Sequence, residues 1–234
     1  MTDLASGNRH LLAPEISDAD LESLNDSFER APAAAIIGWA VEQFHPHLCL
    51  TASMTDAVMI DLLMAVEPSV EVVFIDTRYH FPETLETMEL VRRHYGLNLR
   101  IMTIPPPEGG LELWEADPEN CCSAAKVAQL ERALTGKLAW MSGLRRAEAA
   151  TRTNAPIVSR DKRGLIKVNP IATWSDLDID GYIADHHVPV NPLLAQGYPS
   201  IGCWPCTRAV LDGEDPRAGR WSGRDKLECG LHDE

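Results

Sequence analysis

Apolar residues recur at helical spacing over residues 18–31 and 33–44, the first stretch opened by a capping aspartate and the second interrupted only by Gly38. Two helices are predicted there, as an N-terminal cover. Residues 47–52 then form a short apolar run, Ser53 to Asp56 read as turn and helix cap, and residues 57–66 are almost entirely apolar. The expected unit is strand, loop, helix. It repeats with a buried strand over 70–76, a helix over 82–95 with Pro82 in its first turn and Gly96 just past its end, and a strand over 98–104.

Beyond a loop at 105–110 the alternation resumes, with a helix near 121–134, a strand at 138–142 and short strands around Ile157 and Val168. A further helix is predicted over 174–186, opened by Thr173 or Ser175. Strands and helices alternating in this way imply an α/β fold with a mostly parallel sheet flanked by helices. Residues 211–234 hold too few apolar side chains for a core and read as a mobile tail folding over the body. The expected organisation is a cover at 1–34, an α/β domain at 35–210 and a tail at 211–234.

The 234 residues carry 45% apolar side chains, enough for one substantial core, and a net charge of −14. So acidic a chain is a poor partner for nucleic acid or anionic membranes. The first 14 residues lack the basic start and apolar stretch of a secretory leader, and no run spans a bilayer. A cytoplasmic protein is expected, in which thiols stay reduced and the six cysteines serve as ligands or catalysts rather than as a disulfide framework. Positive charge gathers in the second half, at Lys126, Arg145, Arg146, Arg152, Arg208, Arg217 and Arg220. A pocket for a small anion fits that asymmetry.

Cys121 and Cys122 adjoin at a helix start, and Cys203-Trp204-Pro205-Cys206 places a second pair in a loop. Four thiolates can hold a tetrahedral zinc or an iron–sulfur cluster; neighbouring residues point their sulfurs apart, which suits the larger group. The bland alternative is two small buried residues and a lone redox pair. Cys49, inside an apolar strand, reads as core. Cys229 stands in the tail sequence Glu228-Cys229-Gly230-Leu231-His232, either as an incidental thiol or as a nucleophile. Glu228 would raise its pKa, so activation needs basic groups brought to it.

Cys121-Cys122 with Lys126, the Cys203/Cys206 pair, Asp215-Pro216-Arg217-Ala218-Gly219-Arg220-Trp221 and the terminal ECGLH box together resemble assimilatory adenylyl-sulfate (APS) reductases of the phosphoadenylyl-sulfate reductase family, from about residue 35 onward. The resemblance implies an ATP-pyrophosphatase-like (adenine nucleotide alpha hydrolase-like) fold and a [4Fe–4S] cluster on Cys121, Cys122, Cys203 and Cys206. It further implies substrate contacts from Ser53 in the loop after the first strand, Asp76, Lys126, Gly143, Arg145, Arg152, Arg217 and Arg220. Two departures stand out: the loop at 51–56 lacks the glycines common there, and Arg78 replaces a usual glycine.

The implied chemistry is reduction of adenosine 5′-phosphosulfate to sulfite and AMP, in which Cys229 attacks sulfur, carries it as S-sulfocysteine and is restored by thioredoxin or a related dithiol protein. The rivals are the same fold acting on the 3′-phosphorylated nucleotide, a non-catalytic iron–sulfur or zinc nucleotide-binding module, and an ATP pyrophosphatase, against which the missing glycines argue. A homo-oligomer is compatible with the sequence.

Overall fold

The structure is a computed structural model that describes residues 15–106, 112–117, 120–121 and 124–221. Among the described residues six strands form one sheet: β1 (Leu48–Ala52), β2 (Glu71–Asp76), β3 (Leu99–Thr103), β4 (Ala139–Ser142), β5 (Val158–Arg160) and β6 (Ile166–Val168). Their order is β3-β2-β1-β4-β6-β5, with every neighbouring pair parallel except β5 and β6, which form an antiparallel edge. The helices are α1 (Asp18–Phe28), α2 (Ala33–Phe44), α3 (Val58–Val66), α4 (Pro82–Tyr95), the single turn α5 (Leu113–Ala116), α6 (Ala124–Ala133) and α7 (Asp176–His186).

The central strands are apolar on both faces because helices cover both, and their two-residue period divides the core. Leu48, Leu50, Val72, Phe74, Ala139 and Met141 join the larger cluster with residues of α2 and α3. Cys49, Val73, Ile75 and Trp140 point the other way, against Leu130, Ala133 and Leu134 in and after α6. Cys49 is thus core, as expected, and burial pushes its thiol up to about 12.

Helix ends follow local chemistry. Ser17, rather than the aspartate after it, caps α1 through a capping box with Asp20, and Ser175 does the same for α7 with Asp178. Gly96 ends α4 at φ +63°, behind Arg92, Arg93 and His94 in its last turn. The edge strand β5 is covered from the N-terminal side: Asn25 of α1 accepts from the N–H groups of Ile157 and Val158 and donates to the Val158 carbonyl. The 34/35 boundary expected from sequence falls inside α2, whose Ile36, Ile37, Ala40 and Phe44 are part of the main core.

The start of the segment read as a tail is fixed to the body. Arg208 and Gly219, and Cys206 and Trp221, are joined by backbone hydrogen bonds of 3.0 and 2.9 Å, and Trp221 is buried. A tryptophan that covers the CxxC loop supplies the apolar surface that the composition of 211–234 understates. Residues 222–234 lie outside the described residues, and no described helix is long and apolar enough to cross a membrane.

Candidate functional site

The carboxyl ends of parallel strands are where an open α/β sheet places its ligands, and a cavity of about 530 Å³ opens there. Its floor is the loop after β1. Met54 takes a left-handed backbone at φ +62° in that loop, and the buried Asn191 clamps it by donating to the Met54 carbonyl (3.2 Å) while its own N–H bonds the Thr55 carbonyl (3.0 Å). Asp56 accepts from the Val58 N–H at the start of α3, and burial raises its pKa above the usual carboxylate range. Ser53 lines the cavity with its hydroxyl 3.3 Å from that of Thr55.

Over β2 the cavity is a sulfur-rich wall. Cys121, Cys203 and Cys206 all line it; Cys121 and Cys206 are buried, and the Thr77 hydroxyl lies 3.1 Å from Cys203 Sγ. The backbone bonds that join Cys206 to Trp221 and Arg208 to Gly219 bring Arg217 and Arg220 to the same wall, and Lys126 reaches it from α6. The Arg220 guanidinium is held by Ser200 Oγ (3.1 Å) and the Ile201 carbonyl (3.3 Å), and its centre lies 4.5 Å from the Trp221 ring. Among the described residues its buried Nε has no hydrogen-bond partner.

His80, its ring tilted 33° to that of Phe74 with centres 4.8 Å apart, donates from Nε2 to the Ile75 carbonyl, and burial holds its pKa below the ordinary value. It enters the wall as a neutral ring.

Over β4 the cavity changes character. Gly143 follows the strand, and a Cβ there would stand 3.3 Å from Met59. Arg145 Nη1 lies 2.8 Å from Asp176 at the start of α7 and its Nε 3.7 Å from Glu148, which also bonds Arg152. Arg146 turns away to Glu29, as a brace for the N-terminal helix.

The cavity therefore gathers ten of the residues singled out from sequence: Ser53, Lys126, Gly143, Arg145 and Arg152, with Cys121, Cys203, Cys206, Arg217 and Arg220. Asp76 is not among them. Its carboxylate turns to the Arg78 N–H (2.8 Å) and Thr103, and it lines a separate hollow with Arg78, Trp114 and Trp204. Arg78 holds φ +69°, so the glycine-like backbone survives the substitution. Trp204, half exposed and edge-on to Trp114 at 5.5 Å, faces that hollow rather than the thiols. Cys122 and Cys229 lie outside the described residues. Among the described residues no three His, Cys, Asp or Glu side chains form a ready-made site for a single metal ion.

Residues 47–209 match the phosphoadenosine phosphosulfate reductase domain. The chain belongs to that reductase family. Relatives in it include adenosine 5′-phosphosulfate reductases of Streptomyces coelicolor, 48% identical over 90% of this chain and 92% of its own, and of Mycolicibacterium smegmatis, 41% identical over 99% of both. A phosphoadenylyl-sulfate reductase from Candida auris, solved as a phosphate complex, superposes with a TM-score of 0.73 at 30% identity, over 82% of this chain and 98% of that one. An FMN adenylyltransferase of Candida glabrata shares the fold at a TM-score of 0.56 and 13% identity, over 92% of this chain and 84% of its own.

Sequence reasoning did not single out Thr77, His80, Glu148, Asp176 or Asn191. Thr77 and His80 flank Arg78 of the motif after β2, so their proximity to it was the available signal. Nothing local marks Asn191, which acts on a loop 137 residues away.

Proposed function

We propose that this reductase-family chain reduces adenosine 5′-phosphosulfate to sulfite and AMP with electrons from thioredoxin or a related dithiol protein, using Cys229 as nucleophile. The observation that carries the reading is one cavity at the strand ends with a thiol wall, three basic side chains beside it and apolar lining beyond. A sulfuryl sulfur is crowded by anionic oxygens, so its attack by a thiolate requires charge neutralisation without bulk water. Lys126, Arg217 and Arg220 supply it, and the planar guanidinium of Arg220, pre-set by Ser200 and Trp221, suits paired phosphate or sulfate oxygens.

The Cys229 thiolate attacks sulfur, the bond from sulfur to the phosphate oxygen breaks, and AMP leaves with the electron pair. A donor thiolate then attacks Cys229 Sγ, displacing sulfite; the donor's second thiolate releases Cys229 as a thiol and leaves the donor as a disulfide. Residue 221 is anchored beside the CxxC loop, and Cys229 follows it by eight positions in sequence. That spacing, in the last part of a tail at 211–234, bounds the distance from Trp221 to Cys229 at about 30 Å even for a fully extended chain.

For a [4Fe–4S] cluster the donor set fits: soft thiolates of Cys121, Cys203 and Cys206 share one wall, with Cys122 beside Cys121 in sequence. Those four would hold it, and when bound it would supply a local charge and structural centre beside the sulfuryl pocket. The reading is tested by incubating the chain with adenosine 5′-phosphosulfate and reduced thioredoxin: sulfite and AMP in equal amounts support it, and AMP without sulfite, or neither, refutes it.

Two variant sets probe the electrostatics. Lys126→Ala, Arg217→Ala and Arg220→Ala are each expected to lower kcat/KM by about 10- to 1000-fold, since a lost charge-assisted contact in a desolvated site costs roughly 1.5 to 4 kcal/mol. Gly202→Ala should act on the same charge by displacing it. A Cβ there would stand 2.5 Å from Arg220 Nη2 and 2.6 Å from Cζ, so the guanidinium must leave its seat. We expect about a 10-fold or larger fall in kcat/KM with Tm nearly unchanged; kinetics equal to wild type would show that the seat of Arg220 is immaterial.

A further inference from the structure

Resting on the sulfonucleotide reading above, we infer that Glu148 and Asp176 make this cavity select a nucleotide whose ribose 3′ oxygen carries no phosphate. The sheet order fixes the two ends of the site. Thr77 and His80 follow β2 and face the thiols, whereas Gly143, Arg145 and Glu148 follow β4, on the far side of β1. A sulfuryl group that reaches the thiols over β2 directs the nucleoside towards β4. There Met59, Leu144, Ile171, Ile179 and Ile183 offer an apolar seat for a base. The ribose hydroxyls then fall between, beside Arg145, Arg152 and their carboxylates.

Those two arginines look at first like a phosphate site, but their charge is already matched. Arg145 donates to Asp176 (2.8 Å) and to the Trp174 carbonyl (3.4 Å) and lies 3.7 Å from Glu148, while Arg152 bonds Glu148. Both guanidinium groups have only 12% of their side chain exposed, so neither can swing out to meet a new anion. Asp180 lines the same end, one turn along α7 from Asp176. Three carboxylates thus face two guanidinium groups. A dianionic 3′ phosphate would have to break these pairs and accept like charges at close range, whereas a 3′ hydroxyl can donate to a carboxylate. At the β2 end the balance is reversed, with Lys126, Arg217 and Arg220 facing the phosphosulfate.

The test is equilibrium binding of AMP and of adenosine 3′,5′-bisphosphate to the full-length protein, by calorimetry, in wild type, Asp176→Asn and Glu148→Gln. Wild type should bind AMP at least about 10-fold more tightly than the bisphosphate, and each variant should shrink that ratio by about 5-fold or more. Asp176 has 74% of its side chain exposed, so the asparagine variant is read in a folded protein. A ratio within twofold of wild type in both variants, or a wild type that takes the bisphosphate as tightly as AMP, overturns the inference. Sulfite assays on the same preparations separate it from the parent reading: sulfite with an unshifted ratio sinks the selection alone, and a shifted ratio without sulfite sinks the reductase chemistry alone.

Discussion

Cys229→Ser should abolish sulfite release from adenosine 5′-phosphosulfate, lowering turnover by at least about 10⁴-fold, while nucleotide binding and the thiol wall remain. The size of the effect follows from ionisation. A thiol near its ordinary pKa of about 8.5 is partly thiolate at neutral pH and more so beside basic groups, whereas a serine hydroxyl stays protonated and is a far weaker nucleophile. Arg217 and Arg220 line the cavity and belong to the same C-terminal segment as Cys229, so they would both hold the anionic group and favour the thiolate. Sulfite assays with AMP titrations on the same sample check the separation: loss of sulfite with an AMP affinity within about threefold of wild type is the expected pair of results. Wild-type sulfite production by the serine variant would remove Cys229 from the chemistry.

The second large effect concerns the other thiols. Cys121→Ser, Cys122→Ser, Cys203→Ser and Cys206→Ser should each lose the iron of anaerobically purified protein, about four atoms per chain in the wild type, along with its visible absorption and its turnover. Serine keeps the size of cysteine but not the soft thiolate that iron–sulfur clusters require. Cys49→Ser is the contrast. Its site is fully buried between β1, β4 and α6, so a hydroxyl there costs stability, about 1 to 3 kcal/mol, and leaves the iron in place. Full iron in all four ligand variants would mean that the wall formed by Cys121, Cys203 and Cys206 serves some other purpose.

The core position of Cys49 was legible in the sequence, because an apolar strand is written locally. The same holds for the parallel sheet, which follows from near-continuous apolar runs such as Val72 to Ile75 alternating with helical spacing. What local pattern does not record is which way a side chain turns at a strand end. Asp76 sits in the right motif, yet its carboxylate closes on the Arg78 N–H and away from the large cavity. The anchoring of residues 211–221 was hidden for a related reason: a buried tryptophan, backbone hydrogen bonds, the Arg208–Glu214 ion pair and the Arg220 contacts hold a segment whose average composition is polar. Arg145 and Arg152 enter as substrate contacts only through the family resemblance, and the positions of Glu148 and Asp176 show both to be ion-paired.

The central claim is that one thiol divides the reaction into two halves, and a single-turnover experiment reads this directly. Protein is mixed with excess adenosine 5′-phosphosulfate in the absence of any dithiol, quenched, and analysed both for nucleotide and by peptide mapping. The account predicts a burst of about one AMP per active site and one SO₃ group on Cys229, discharged as sulfite when reduced thioredoxin is added. An adduct on Cys121, Cys122, Cys203 or Cys206, or AMP release with no adduct on any cysteine, would contradict it.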